Sequence, residues 1–432
     1  MLNSYEELLS YISGLEIIDT HEHLPAFERT RNRDTDVLGE YLSHYYNRDL
    51  VSAGMPESEL SRLADPCIDI MEKWNAVEPY WKICCHTGYG QSLEIAARDI
   101  YGIDRVDGST IQELDGRFRQ GHMEQHFRKV LKDMCKIKVS ILDIELDSID
   151  FESEGPDAEY YVKTNRIDRL VYPRTHADIL VLEKLYGKRI AAFDDYLGAC
   201  AAAIESFASQ SRILKCALAY ERDLNFERTP YHEAEEAFLS LFEPSYYCTI
   251  ALPKDRPLHA GSSFQNYVMH YLLSIAQEKE MVLQIHTGIQ EGNGNLLCNS
   301  KPTLLNNLFM DYPGLQFDVF HIGYPYQSEL GVFAKWYPNV WVDMCWAHIV
   351  SPVAARQTLD EWLEVVPYNK ILGFGGDYLF VDGVYGHLCL ARKNIALTLS
   401  GRVDSGFIDI EEAKLIARSI LYLNPAKVYG IV

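Results

Sequence analysis

The sequence predicts an α/β fold, a closed (β/α)8 TIM barrel with a helical insertion after its first strand. Eight short β-rich runs recur along the chain, and most are followed by a segment with helical spacing of apolar residues. The runs are nearly continuous in apolar side chains, as strands covered on both faces are. No GxGxxG follows the first run, which disfavours an open doubly wound sheet.

The elements follow in order. Residues 4–13 have helical spacing, and "LEIID" (15–19) reads as the first buried strand. From 25 to 137 the pattern is helical, polar and aromatic, with amphipathic stretches near 58–75, 91–100 and 119–134. That stretch reads as an insertion or cap over the barrel mouth, so the barrel takes 1–24 and 138–432. Its Trp74, Trp81 and tyrosines suit either its own core or a pocket wall. The remaining strands are expected at 138–144, 169–173, 213–220, 281–288, 316–323, 340–347 and 371–378. Helices are expected at 177–186, 191–210, 263–279, 302–311, 326–336, 353–365, 384–402 and 408–421.

A chain of 432 residues can bury a large core without staples. Its 47% hydrophobic and 24% charged residues suit a soluble enzyme. A formal net charge of −22 disfavours nucleic acid and anionic membrane as partners, but not a small anionic substrate. The ten cysteines show no CxxC pair and read as thiols in a reducing cytosol; Cys84 and Cys85 are vicinal. The N-terminus lacks a basic start, so no signal peptide is expected, and no apolar run suggests a membrane span. The expected setting is cytoplasmic, with a small-molecule substrate; a homo-oligomer is compatible with the sequence.

Asp19-Thr20-His21-Glu22-His23 falls where the first strand ends. Residues i and i+2 of a strand share a face, so His21 and His23 project together with Asp19 one step deeper. Two imidazoles side by side chelate one metal well, although an HxH alone is weak. The case rests on other strand ends: "LQIHTG" gives His286, "VFHIG" gives His321 and "FGGDY" gives Asp377. Barrel sites collect residues from the ends of several strands. Each has a plain alternative, since a strand-end histidine is often a satisfied core residue and GGD is an ordinary turn. Lys215 lies inside an apolar strand, where burying charge is costly. Either its ammonium reaches the mouth or an acid, or it is deprotonated and carboxylated as an anionic bridge between two metals.

This pattern resembles the amidohydrolase superfamily: HxH on strand 1, Lys on strand 4, His on strands 5 and 6, Asp on strand 8. "IIDTHEHL" and "NPAKVYGIV" resemble its second subgroup, metal-dependent barrel hydrolases that include relatives of uronate isomerase. The resemblance covers 15–24 and about 138–432, and leaves 25–137 unexplained. It implies one divalent metal on His21, His23 and Asp377 and a second on His286 and His321, with carboxylated Lys215 bridging. It also implies Asp377 as general base and then acid. Zinc is the first choice of metal, for one or two ions, and cysteine-free ligation also admits Mn, Fe, Co or Ni. Asp19 is expected to orient a histidine or to cap backbone amides. Substrate contacts are expected from Tyr220, Arg222, Tyr324, Trp346 and Tyr378, with Arg222 suited to a carboxylate or else a surface ion pair. The wide gap from Lys215 to His286 implies an excursion around 221–262.

The expected activity is hydrolysis of an amide, ester or lactone bond in a small polar metabolite. The alternative is aldose–ketose isomerisation by one metal, as in the uronate-isomerase relatives. Non-oxidative decarboxylation fits less well, because relatives with that chemistry carry Glu where His21 stands. A degenerate barrel that only binds is the non-enzymatic alternative.

Overall fold

A computed structural model describes residues 3–121, 125–144, 155–241, 257–292 and 294–431. Parallel strands follow one another around a ring: β1 (Ile17–Glu22), β2 (Ile137–Leu142), β3 (Tyr161–Lys163, continued by Asn165–Arg166), β4 (Ile213–Cys216), β5 (Val282–Ile285), β6 (Gln316–Val319), β7 (Val340–Asp343) and β8 (Ile371–Leu372). Each pairs in parallel with the next. The two pieces of β3 meet at Thr164, whose amide still donates to Leu142 at 2.9 Å. Beyond β8 the chain returns to β1: Thr20 N–H donates to Phe374 O at 3.0 Å, Asp377 N–H to His21 O at 2.9 Å and His23 N–H to Tyr378 O at 3.1 Å. These bonds close the ring between its first and last strands.

The floor of the barrel is apolar, formed by Ile141, Ile213, Val282, Trp341 and Leu372 with Val428 and Tyr429 from the C-terminal helix. Two residues further along the same strands, Lys215 and Gln284 share the inward face of Ile213 and Val282. The barrel interior therefore passes from apolar to polar toward the carboxyl ends of the strands, the end that carries active sites in this architecture.

The predicted third strand is corrected. Residues 169–173 are not a strand; Asp168–Val171 is a helical turn, and the strand lies at 161–166. "YVKTNR" shows no apolar run because Lys163, Thr164, Asn165 and Arg166 line a cleft rather than a dry core. The apolar pair that suggested a strand, Leu170 and Val171, is buried from the turn. The other expected strands overran: their carboxyl ends are loops, which frees the side chains at 286, 321, 346 and 377 from the sheet.

Residues 25–136 contain helices and no strand among the described residues, as their pattern predicts. The stretch expected to be helical at 58–75 is two helices, Ser58–Ala64 and Ile70–Cys84, separated around Pro66. The Ile70–Cys84 and Gly88–Tyr101 helices are capped by Asp69 and Thr87 side chains. Trp74 and Trp81 pack on each other, buried in core. The excursion after β4 includes the Tyr231–Ser240 helix; residues 242–256, with Cys248, lie outside the described residues. The nine cysteines described are free, and no described helix is long and apolar enough to cross a membrane.

Candidate metal centre

The "GGD" turn after β8 is a close-approach device. A Cβ on Gly375 would meet Thr20 Oγ1 at 2.5 Å, and one on Gly376 would meet Glu22 Oε1 at 1.8 Å. Only glycines let this segment lie against β1. Asp377 then turns inward with φ 58°, and Tyr45, His321, Ile322 and Trp346 also adopt positive φ. Such strain at non-glycine residues collects where a site over-determines the backbone.

The result is convergence. His23 Nε2 lies 3.3 Å and His21 Nε2 3.7 Å from Asp377 Oδ1. The donor atoms of His21, His23 and Asp377 all lie within 4.8 Å of one another. Lys215 Nζ stands 3.3 Å from His21 Nε2 and over the Phe320 ring. His321 Nε2 faces His286 Nδ1 at 2.9 Å, and His321 Nδ1 is 4.0 Å from Asp377 Oδ2. All six expected ligand residues therefore meet around one point, from β1, β4 and the ends of β5, β6 and β8.

Electrostatics prepare these side chains for a cation. Burial lowers His21 and His286 well below the usual imidazole value and His321 to about 4, so the rings are neutral donors. Burial alone would raise Asp377, but the His23 hydrogen bond and the surrounding imidazoles hold it well below the carboxylate range. Burial lowers Lys215 against the pull of Asp143 and Asp377. Nδ1 of His21 is buried without a hydrogen-bond partner among the described residues. Neutral nitrogens around an ionised carboxylate suit a divalent metal.

Several residues at the centre have no counterpart in the sequence expectations. Asp143, at the end of β2, lies 3.8 Å from His21 Nε2 and is gripped by Arg166 through Nε at 2.9 Å and Nη2 at 2.8 Å. Burial alone would raise Asp143, but Arg166 together with the His23 and His21 imidazoles holds it well below its ordinary value. Its sequence signal was its place at a strand end. Cys345 joins His321 and Asp377 in a second compact donor group, which departs from the expected cysteine-free ligation. Burial raises its thiol well above the usual range, keeping it protonated and a poor ligand. His44 and Tyr45 come from the helical region, where nothing local marked them. Tyr45 donates to the Asp377 carbonyl at 2.6 Å and stacks on Trp346, and His44 lines the cleft.

Asp19 accepts from the amides of His21 and Gly376 and from Ser140, so it caps backbone and orients no imidazole. Burial lifts it to about 6 and, with Asp19 beside it, lifts Glu22 further.

A cleft of about 720 Å³ opens onto His23, Lys215, His286 and Asp377. Among the expected substrate contacts, Tyr220 lines it, with its ring 4.7 Å from His286. The other four are not among its lining residues. Arg222 is spent on Gln265, Asn225 and Asp223. Tyr378 is buried, with its hydroxyl toward Ser92. Trp346 is buried behind His321 and Tyr45. Tyr324 follows the His321 turn and packs against the core.

Residues 250–431 match the family model described as Amidohydrolase. Protein fluG of Emericella nidulans is 28% identical over 220 residues, half of this chain and a quarter of that protein's length. The fold matches uronate isomerase of Thermotoga maritima (17% identity, 99% of this chain and 98% of that one, TM-score 0.77). It also matches glucuronate isomerase of Caulobacter crescentus (18%, 99% and 94%, TM-score 0.77). A Lactobacillus casei protein assigned as a metal-dependent hydrolase matches with 17% identity, 98% and 97% coverage and a TM-score of 0.64. The carboxyl-terminal part of this chain, residues 250–431, is thus similar to the amidohydrolase family, and the whole chain shares its fold with these solved structures.

Proposed function

We propose that the chain is a metal-dependent hydrolase that cleaves an amide, ester or lactone bond of a small polar metabolite. His21, His23 and Asp377 would hold one divalent ion, zinc by first choice. His286 and His321 would hold a second, with carboxylated Lys215 between them. A bound divalent ion supplies Lewis acidity and brings the pKa of a water toward ~7. Asp377, kept ionised, accepts the proton of the attacking water and returns it to the leaving group. The ring of His286 and the hydroxyl of Tyr220 border the space open to substrate. The free thiols support a reducing, cytoplasmic setting.

The observation that carries this reading is Lys215, buried 3.3 Å from His21 Nε2 with lowered proton affinity, where a neutral amine can react with carbon dioxide. Metal analysis of the purified protein, run beside a turnover screen over sugar-acid lactones and N-acyl compounds, tests it. Two ions per chain and hydrolysis of a screened compound support it; one ion and no hydrolysis sink it.

A second reading, isomerisation of a sugar acid, is favoured by the likeness to two uronate isomerases along 99% of this chain, helical region included. It predicts one ion and aldose–ketose exchange that survives Lys215→Met.

A further inference from the structure

The turn that carries Asp377 is also held from behind. His387 lies fully buried on the Val381–Asp404 helix, with its Nδ1 3.0 Å from the Gly376 carbonyl oxygen. A carbonyl only accepts, so Nδ1 carries the proton. Burial lowers the ring to about 3, which keeps it neutral. On the other side of the same peptide plane, the Asp377 N–H donates to His21 O at 2.9 Å. The Gly376–Asp377 peptide is therefore fixed at both its oxygen and its nitrogen. Rotation of that plane would change φ at Asp377, which stands at 58°, a value that a non-glycine residue keeps only under constraint.

A comparison with other buried histidines shows what this ring is for. His348 donates from Nε2 to Gly373 O at 3.0 Å, and its Nδ1 faces the Asn394 amide at 3.4 Å. His270 has both nitrogens engaged, by the Tyr312 hydroxyl and the Phe226 carbonyl. His387 differs, since its Nε2 is buried with no hydrogen-bond partner among the described residues. A buried acceptor left unmade costs stability, so packing alone would favour an apolar side chain here. What the imidazole supplies is its single bond to Gly376. We infer that His387 is a positioning residue for the metal centre: its Nδ1–H fixes the Gly376–Asp377 peptide and so aims the Asp377 carboxylate at His21 and His23.

This inference rests on Asp377 as a metal ligand, and it holds for hydrolysis and isomerisation alike. The test is the zinc dissociation constant of wild type, His387→Asn and His387→Gln, measured by competition with a chromophoric chelator. An asparagine amide sits where Nδ1 was, whereas a glutamine amide sits where Nε2 was. The asparagine variant should keep wild-type affinity, and the glutamine variant should bind zinc roughly tenfold or more weakly. Cobalt-substituted protein should show the same order, with the visible absorption of the asparagine variant matching wild type and that of the glutamine variant shifted. A packing role predicts the opposite order, because glutamine is nearer histidine in volume, and that result would overturn the proposal. Equal affinities in the two variants would overturn it as well. Urea denaturation of the metal-free proteins separates folding from binding: midpoint losses that parallel the affinity losses would leave His387 a structural role only. Wild-type protein that takes up neither zinc nor cobalt would sink the metal centre itself, and this inference with it, an outcome distinct from any difference between the variants.

Discussion

His23 Nε2 lies 3.3 Å from Oδ1 of Asp377, a contact between the first strand of the barrel and the turn after its last. Asp377 is ionised there because the imidazoles around it outweigh its burial. Asp377→Asn keeps the shape and removes the charge. Turnover should fall at least about a hundredfold, with reduced metal content and an unchanged far-UV circular dichroism spectrum. Wild-type turnover at full metal occupancy would contradict the assigned role.

Lys215 separates the two catalytic readings. Lys215→Met removes a buried amine that desolvation already disfavours as a cation, so the melting temperature of the metal-free protein should hold or rise. Under the hydrolase reading, metal content measured by mass spectrometry falls from two ions to one and hydrolysis drops at least about a hundredfold. Unchanged stoichiometry and turnover would remove Lys215 from the site.

Metal removal should destabilise the fold, because the candidate ligands come from β1 and the turns after later strands. An ion held at about 100 times its Kd contributes about 2.7 kcal/mol. Dialysis against a chelator should lower the melting temperature, and zinc should restore it. His23→Ala protein should respond weakly to both treatments. Equal chelator sensitivity in the variant would place the responsive ion elsewhere.

The histidines away from the ligands make stability pH-dependent. His348 donates from Nε2 to the Gly373 carbonyl, and burial lowers it to about 4 from the ordinary imidazole value of 6.5. A lowered imidazole costs nothing above pH 6.5. Below that value the unfolded chain takes up a proton that the folded one refuses, so stability is lost as pH falls toward 4. Asp318, raised to about 7 by burial, acts oppositely, losing stability as pH rises from 3.8 toward 7. The two effects separate by difference. Between pH ~7 and ~5, wild type should lose about 2 kcal/mol more than His348→Gln, measured by urea denaturation. Parallel losses in the two proteins would show that His348 does not carry the effect.

The sequence by itself determined the barrel class and picked out six side chains that meet at its mouth. Hydrophobic runs spaced by helices specify βαβ units, and His21, His23, Lys215, His286, His321 and Asp377 were legible because chemistry-bearing residues interrupt apolar strands or end them. It misplaced β3, since a strand whose side chains line a wet cleft loses the apolar signature by which strands are read. Tertiary structure alone decided the rest. Asp143 joins the centre through Arg166, and Tyr45 reaches Asp377 from a helical region that periodicity cannot orient. Arg222 and Arg169 look alike as letters. Only the fold shows that one is consumed by Gln265 and Asn225 while the other pairs with Glu221 at the cleft wall. Periodicity fixes which face a side chain takes within its own element, whereas its partner is set by where distant elements close the ring.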